Sequence, residues 1–204
     1  LLMEACTVSE SLKDGILSGS ATTITNTVVA TCDRGVCAWG DMELINCTLD
    51  DNRQGAVEHV GTLTLRNCIV SHSLEVGVLH DWGTEHVTVT HSNVWTPDAD
   101  NYTGTSDKTG QNGNISIDPK LKNVVAGDYR LGYRSPCIDA ADGEVAPATD
   151  FMGAPRYDDP RTTNSGVPTA GGAYADMGAF EFVETAASEV DLIGTTVNGP
   201  AAVV

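Results

Sequence analysis

The sequence predicts an all-β solenoid, a chain in which short strands stack on one another at a fixed repeat. Three observations predict this class. A five-residue phrase occurs five times before Trp95, with starts 21, 20, 21 and 24 residues apart. A column of glycines keeps nearly the same period, and each repeat alternates Thr, Val, Ile or Cys with polar residues. A period of about 20 to 25 residues is typical of solenoids, and the alternation is typical of strands. The phrases begin at Glu4, Thr25, Ile45, Arg66 and Thr90, and the glycines are Gly15, Gly35, Gly55 and Gly77.

Each repeat is long enough for three short strands. Reading every second residue as inward gives two apolar columns with a column of mostly Asn between them. Asn tolerates the left-handed backbone, and its amide can bond to the amide above, so this column predicts a tight turn between two strands. Three strands in a coil of about 20 to 22 residues resemble the right-handed parallel β-helix family. The columns are Met3, Ile24, Leu44, Leu65 and Val89; Val8, Val29, Leu49, Val70 and Val94; and, between them, Ala5, Asn26, Asn46, Asn67 and His91.

The charge balance restricts the partners. The 204 residues include 28 acidic and 11 basic side chains, a formal net charge of −17. Nucleic acid and anionic membranes would repel such a chain, so neither is expected as a partner. No apolar run reaches the roughly 18 residues that span a bilayer, and the chain opens in mid-repeat without the regions of a signal peptide. We therefore expect no membrane insertion, and a mature or excised piece of a secreted or cell-surface protein.

The six cysteines are even in number, which allows disulfides. Cys32 and Cys37 are the better candidates for a bridge, since they lie across one loop and its following strand. Cys137 has no evident partner. The other three share one inward column, where a thiol serves as a small hydrophobe: they are Cys6, Cys47 and Cys68.

The stretch after each Gly-apolar pair contains the most chemistry. Parallel stacking gathers two carboxylates and two imidazoles on neighbouring coils, a combination that can do acid and base work. Two tryptophans flank them, and an aromatic ring can stack on the face of a sugar. The alternative is that these residues end strands and alternate between core and solvent, with the Trp rings covering apolar surface. The catalytic candidates are Glu58, His59, His80 and Asp81, and the carbohydrate-binding candidates are Trp39 and Trp82.

Two residues before each glycine of the column, the charge alternates in sign up the stack. At strand spacing these side chains can form a ladder of ion pairs that sets register, each exposed pair contributing little stability. The alternative is a charged groove in which Arg53 joins the nearby aspartates as a further catalytic candidate. The ladder is Lys13, Asp33, Arg53 and Glu75, and the groove would add Asp50 and Asp51.

Residues 96–116 break the period and are rich in Asp, Asn, Gly and Thr, so they predict a polar excursion from the solenoid. Its carboxylates, Asp98, Asp100 and Asp107, with Asn101, are candidates for a calcium site, although their spacing does not match an EF-hand loop. A plain polar loop is the alternative. Sequons at Asn46, Asn101 and Asn114 are candidate glycosylation sites, and such triplets are common by chance.

Residues 117–183 carry a second resemblance, to the C-terminal signature of the bacterial choice-of-anchor Q proteins, which are secreted β-helix proteins with varied surface-sorting signals. The signature usually has Ala and Gly where this chain has Cys137 and Ala141. The resemblance implies a β-helix fold and a surface location more firmly than an activity. The phrases begin Ile117-Asp118-Pro119, Tyr129-Arg130-Leu131, Ser135-Pro136-Cys137, Asp150-Phe151-Met152 and Asp176-Met177-Gly178.

The open edge of a stack of strands must be covered, so we expect residues 117–183 to form an irregular cap locked by hydrogen bonds and ion pairs. Residues 184–204 are expected to be a linker and a further strand from 190 to 204. The residues expected to lock the cap are Asp139, Asp150, Arg156, Asp176 and Glu181.

The expected function is that of an extracellular or cell-surface module, structural or carbohydrate-binding, with a polysaccharide or surface glycan as partner. Self-association is a second hypothesis, through the open edge of the first coil and the strand at 190–204. The third is a polysaccharide lyase or glycoside hydrolase, because many β-helix proteins are such enzymes. Whether the chain is an enzyme is left open, and Ca²⁺ is the one cofactor considered.

Overall fold

The computed structural model describes residues 2–82 and 84–183, and it confirms the predicted solenoid. Fifteen strands form a parallel β-helix of five coils, each coil contributing one strand to each of three five-stranded sheets. In chain order the strands are β1 (Leu2–Glu4), β2 (Thr7–Ser9), β3 (Asp14–Ser18), β4 (Thr22–Thr25), β5 (Val28–Ala30), β6 (Arg34–Ala38), β7 (Met42–Ile45), β8 (Thr48–Asp50), β9 (Gln54–Glu58), β10 (Leu63–Arg66), β11 (Ile69–Ser71), β12 (Val76–His80), β13 (Val87–Thr90), β14 (Asn93–Trp95) and β15 (Asp100–Thr103).

The three sheets are parallel and keep the register that the repeat predicts. The first sheet has the order β1-β4-β7-β10-β13, the second β2-β5-β8-β11-β14 and the third β3-β6-β9-β12-β15. Leu44 pairs with Ile24 on one side and Leu65 on the other, so equivalent residues of successive repeats lie above one another. Because every side chain has its equivalent about 4.8 Å away, one residue type can repeat as a column through the molecule.

The core is the space between the three sheets. Both predicted apolar columns line it, and their members from the second coil onward are at most 2% exposed. The Asn column turns between the first and second sheets with φ of 45°, 50° and 56° at Asn26, Asn46 and Asn67. These left-handed values confirm the turn that the Asn column predicts.

The glycine column is required by a close approach of backbones. A Cβ at Gly15 would lie 2.7 Å from the carbonyl oxygen of Gly35, and one at Gly35 would lie 2.5 Å from that of Gly55. No side chain fits at such distances, so each of the first four coils needs glycine where the chain bends into the third sheet.

The predicted excursion at residues 96–116 is only partly one: residues 100–103 form β15 and belong to the solenoid, and the residues that follow cover the last coil. The side chain of Asn114 is 2% exposed; its Oδ1 accepts from the amide of Ser92 at 3.0 Å and its Nδ2 donates to the carbonyl of Val89 at 2.7 Å. The amide of His91 donates to the carbonyl of Asn112 at 2.9 Å. Residues 105–116 thus satisfy strand ends that the stack would otherwise leave open.

The C-terminal region lies along the flank of the solenoid, whereas we expected it to cover the end of the stack. It contains β16 (Leu121–Asn123), a 3₁₀ turn (Val124–Ala126) and β17 (Asp128–Leu131), and β16 and β17 pair antiparallel. Its apolar residues bury the outer face of the second sheet, where Val28 and Ile69 are at most 1% exposed. The reason is that this outer face carries the apolar side chains of Val28, Ala30 and Ile69, which need a cover.

The Asn column also fixes the C-terminal region to the solenoid, which the sequence did not predict. Three members of the column, and Asn93 on the next coil, each donate a side-chain amide hydrogen bond to a backbone carbonyl of that region. The pairs are Asn26 to Thr149 at 2.9 Å, Asn46 to Asp176 at 2.8 Å, Asn67 to Asp142 at 2.9 Å and Asn93 to Ile117 at 2.7 Å.

The acidic residues expected to lock the C-terminal region do so. The carboxylate of Asp176 accepts from the amides of Asp139 at 2.8 Å and Phe182 at 2.5 Å. The buried guanidinium of Arg156 donates to the carboxylate of Glu181 at 2.9 Å. Burial raises the pKa of the Asp139 carboxyl to about 7, since its charged form is poorly solvated there.

All six cysteines are free thiols, so the bridge expected between Cys32 and Cys37 is not formed. Cys32 belongs to the central core whereas Cys37 does not, so the two side chains leave the backbone in different directions. Burial raises the pKa of Cys37 to about 11 and that of Cys137 to about 12, which keeps both thiols protonated and unreactive.

The expected strand at 190–204 lies outside the described residues. Within residues 2–82 and 84–183 no helix is long and apolar enough to cross a membrane.

Candidate functional site

The candidate site lies where the third sheet ends and the chain turns toward the first. Here the backbone ladder continues one residue past the strands, which places four equivalent residues above one another. The amide of Trp39 donates to the carbonyl of Ser18 at 2.8 Å, that of His59 to Ala38 at 2.9 Å, and that of Asp81 to Glu58 at 3.0 Å. We call this row the Trp39 column; its members are Gly19, Trp39, His59 and Asp81.

The side chains of the Trp39 column form one continuous contact. The rings of Trp39 and His59 stack with centroids 4.5 Å apart and 29° between their planes. Nδ1 of His59 lies 2.8 Å from Oδ2 of Asp81, whose side chain is 53% exposed. The carboxylate fixes the imidazole, and the imidazole supports the indole from one side.

The other side of the Trp39 ring is open. The next member of the column is Gly19, which has no side chain, and nothing lies within 4 Å of the position a Cβ would take there. Trp39 is 48% exposed, and Leu17, two residues before Gly19, is 57% exposed. The surface therefore presents one open face of the Trp39 ring, which His59 supports from the other side. Exposed Leu17 lies on the coil below, and the exposed carboxylate of Asp81 lies two coils above.

Trp82 follows Asp81 and is 68% exposed. It lies at the same edge of the solenoid as the Trp39 column, one residue further along the turn. The structure thus keeps both predicted Trp residues accessible.

Glu58 and His80 are brought together, but inside the solenoid. Ala56, two residues before Glu58, belongs to the central core, so Glu58 faces inward like Ala56. Glu58 is 0% exposed and its Oε2 accepts a hydrogen bond from Nδ1 of His80. Its other oxygen, Oε1, is buried with no hydrogen-bond partner among the described residues. The carboxylate of Glu58 is therefore closed off from any polymer outside, and only about a tenth of the His80 side chain is exposed.

The predicted charge ladder is present in three of its four members. The guanidinium of Arg53 donates to Asp33 at 2.5 Å and to Glu75 at 2.5 Å, one coil below and one above. The hydrogen bond from Arg53 lowers the pKa of the Asp33 carboxyl. Arg53 is therefore bound between two carboxylates, which supports the reading of these residues as a ladder that sets register.

A second imidazole and carboxylate pair lies on the outer side of the second sheet, and the sequence reading missed it. Oδ1 of Asp50 accepts from Oγ of Ser71 at 2.6 Å and from Nδ1 of His72 at 2.7 Å. The hydrogen bond to Asp50 raises the pKa of His72. The ring of Trp95 meets that of His72 edge to face at 5.0 Å. The strand pairing of Asp50 with Ser71, which follows from the repeat, is the signal that could have found it.

The calcium candidates are only partly gathered. Asp100, Asn101 and Asp107 line an open pocket of about 460 Å³ with Trp95 and Tyr102, whereas Asp98 is not among the residues lining it. Asn101 is occupied, since its Oδ1 accepts from the amide of Thr96 at 2.9 Å. In the part of the chain that the structure describes, no three His, Cys, Asp or Glu side chains are placed to hold a metal ion.

Two of the three sequon asparagines are buried and use their amides in the fold. Asn46 is 0% exposed and Asn114 is 2% exposed, with the hydrogen bonds given above. Asn101 is half-buried, and its Nδ2 donates to Oγ of Ser116 at 2.8 Å. In the folded chain these amides are engaged by protein atoms.

Comparison with known proteins gives no relative from which a function can be read. The chain matches no family model, no curated protein and no solved structure.

Proposed function

We propose that this protein is an extracellular or cell-surface β-helix module that binds a glycan through the Trp39 column. The observation that carries the proposal is the open face of Trp39, supported from behind by His59 and uncovered because the next residue of the column is Gly19. Sugars present a C–H face that packs on such a ring, and carboxylates accept hydrogen bonds from sugar hydroxyls.

The arrangement supports binding over catalysis. Glu58 and His80 face the interior, where a polysaccharide does not reach. Nε2 of His59, the nitrogen that would have to act as the base of a His59–Asp81 dyad, is buried without a hydrogen-bond partner among the described residues. Arg53 is held between two carboxylates. A lyase or hydrolase would need an acid or base that is both accessible and not already held by another side chain; Arg53 is accessible but is held by its two carboxylates.

Two further features favour an extracellular or cell-surface location. A net charge of −17 suits a solvated extracellular surface and disfavours nucleic acid. The resemblance of residues 117–183 to choice-of-anchor Q proteins also favours a cell-surface setting. The charge further favours neutral over anionic polysaccharides as ligands.

Self-association is the second candidate, favoured by the first coil. Strands β1, β2 and β3 each pair on one side only in the described chain. Leu2 is 68% exposed and Leu12 is 95% exposed beside this edge. Another subunit could add strands there. Light scattering across concentration tests this: a mass that stays at 21.4 kDa contradicts it, and larger species that grow with concentration support it.

Retention in native gels cast with polysaccharide tests glycan binding. Wild type, Trp39→Ala and Trp82→Ala are run against β-glucan, mannan, xylan and alginate, with Tyr157→Ala as the control for loss of an exposed ring. Loss of one stacked aromatic is expected to weaken binding about three- to tenfold. Retention that is unchanged in both Trp variants, or absent for every polymer, contradicts the proposal.

A further inference from the structure

Three of the five histidines pair with carboxylates across a single joint of the solenoid. The joint is the contact between the third coil (β7, β8 and β9) and the fourth coil (β10, β11 and β12). We call it the coil 3–4 joint. The pairs are Asp50 with His72, Glu58 with His80, and His59 with Asp81, in each case with the first residue on the third coil.

The ion pairs described at the two earlier joints use arginine, whereas the coil 3–4 joint has its histidine pairs in addition to two arginine pairs, Arg53 with Glu75 and Arg66 with Glu43. Arg34 on the second coil donates to Asp14 on the first at 2.5 Å, and Arg53 on the third donates to Asp33 on the second at 2.5 Å. Arginine stays charged at any physiological pH, so these joints are insensitive to protons in the neutral range. Histidine is the side chain whose charge changes there.

The burial of two carboxylates makes the stability of the coil 3–4 joint depend on the protons of their histidine partners. Asp50 and Glu58 are both 0% exposed, and each has one carboxylate oxygen, Oδ2 and Oε1, with no hydrogen-bond partner among the described residues. When the imidazole beside such a carboxylate carries a proton, the pair is neutral as a whole. When that proton leaves, a buried anion remains with no opposite charge, which is costly in a poorly solvating environment.

The other charged groups near His72 and His80 are carboxylates, which attract a protonated imidazole. His72 lies near Asp51 and Asp118 as well as Asp50, and all three raise its pKa, the hydrogen bond to Asp50 most strongly. His80 lies within electrostatic reach of Glu85 besides its partner Glu58. The surroundings of His72 thus favour its protonated form.

Trp39 is the other group packed on His59, the third imidazole of the joint, and it adds no opposing charge. Asp81, the partner of His59, is half-exposed. In this pair the buried member is the imidazole, whereas in the other two pairs it is the carboxylate.

We propose that the coil 3–4 joint is a pH-sensitive joint of the solenoid, closed while the imidazoles beside the buried carboxylates of Asp50 and Glu58 hold their protons and loosened as they lose them. The sign follows from His72. Its folded pKa lies above the value in the unfolded chain, so its contribution to stability is complete below the unfolded value near 6.5 and is lost as pH rises through the folded value. The fold should therefore open most easily at this joint in mildly alkaline solution.

Hydrogen exchange of the full chain, followed by mass spectrometry from pH 5.5 to 8.5 and corrected for the intrinsic rate, tests the proposal. The protection of amides in β10, β11 and β12 is expected to fall by up to about tenfold per pH unit for each proton lost, relative to β4, β5 and β6. The second coil serves as the internal control because its pair with the first coil uses arginine.

Variants separate the joint from general effects of pH. His72→Gln and His80→Gln keep a neutral donor and cannot titrate, so each is expected to reduce the pH dependence of β10 to β12. His86→Gln, an exposed histidine outside the joint, is expected to leave it unchanged. Equal pH dependence in the second and fourth coils of wild type overturns the proposal even if no variant folds. Undiminished pH dependence in folded His72→Gln and His80→Gln overturns it as well.

Discussion

Replacing Asn67 tests whether the Asn column holds the two halves of the molecule together. Asn67 is fully buried and makes three side-chain hydrogen bonds. Its Nδ2 donates to the carbonyl of Asp142 at 2.9 Å and to Oδ1 of Asn46 at 3.1 Å, and its Oδ1 accepts from the amide of Asp142 at 2.7 Å. At about 1 kcal/mol each, their loss costs about 3 kcal/mol. Asn67→Ala also places alanine at φ 56°, which adds about 1 to 2 kcal/mol.

The free energy of unfolding, measured by urea denaturation with circular dichroism, is therefore expected to fall by about 4 to 5 kcal/mol in Asn67→Ala. Asn67→Gly loses the same hydrogen bonds but tolerates the left-handed backbone, so it should be about 1 kcal/mol more stable than Asn67→Ala. Thr64→Ala, on the same coil, is the control and should change stability by at most about 0.5 kcal/mol. A cost below about 1 kcal/mol for both Asn67 variants would refute the role given to these hydrogen bonds.

Three further predictions address the site and the C-terminal region. Gly19→Phe should fold normally, since nothing lies within 4 Å of a Cβ there, and should abolish polysaccharide retention by covering the open face of Trp39; retained binding would place the ligand elsewhere. In wild type, the folded pKa of Asp139, about 7, exceeds the unfolded value near 3.8, so stability is expected to fall by up to about 1.4 kcal/mol per pH unit as pH rises from about 4 to 7. Asp139→Asn removes this titration and should flatten the dependence of stability on pH in that range. The variant should then be more stable than wild type above pH 7, and urea denaturation at pH 5 and 8 decides this. Arg156→Gln should cost about 3 to 5 kcal/mol, because it leaves Glu181 buried without its cation; a thermal midpoint equal to that of wild type would contradict this.

The coils were predictable because a parallel β-helix repeats its sequence in space. Gly35 allows a close approach of backbones and Asn46 adopts a left-handed backbone, and each need recurs in successive coils, so it is visible as a column. Leu44 and Leu49 face inward in every repeat for the same reason. The ladder through Arg53 was also predictable, since strand spacing brings residues of equivalent position together.

The C-terminal region was less predictable because it does not repeat. Its irregular phrases indicated hydrogen-bonded turns, and Asp176 and Arg156 make them. Where the region lies depended on the outer face of the second sheet, and the sequence gives no direct signal of which sheet needs a cover. The free thiols of Cys32 and Cys37 depended on side-chain direction near a bend, which spacing alone does not define.

The sequence predicted which side chains of the candidate site are neighbours, but only partly which of them are exposed. Stacking placed His59 beside Asp81 and Glu58 beside His80, as the repeat requires. How far each side chain is exposed could not be read in the same way, because exposure depends on how the chain turns toward the first sheet. Glu58 faces the core in step with Ala56, and Trp39, one residue past the inward Ala38, is half-exposed.

Nuclear magnetic resonance mapping tests the central claim, glycan binding at the Trp39 column, most directly. The ¹⁵N-labelled protein is titrated with soluble hexasaccharides of glucose, mannose and N-acetylglucosamine. We predict that at least one shifts the indole N–H of Trp39 and the amides of Gly19 and His59, saturably and more than those of Trp95. Shifts centred on another surface, or none at millimolar sugar, would contradict the account.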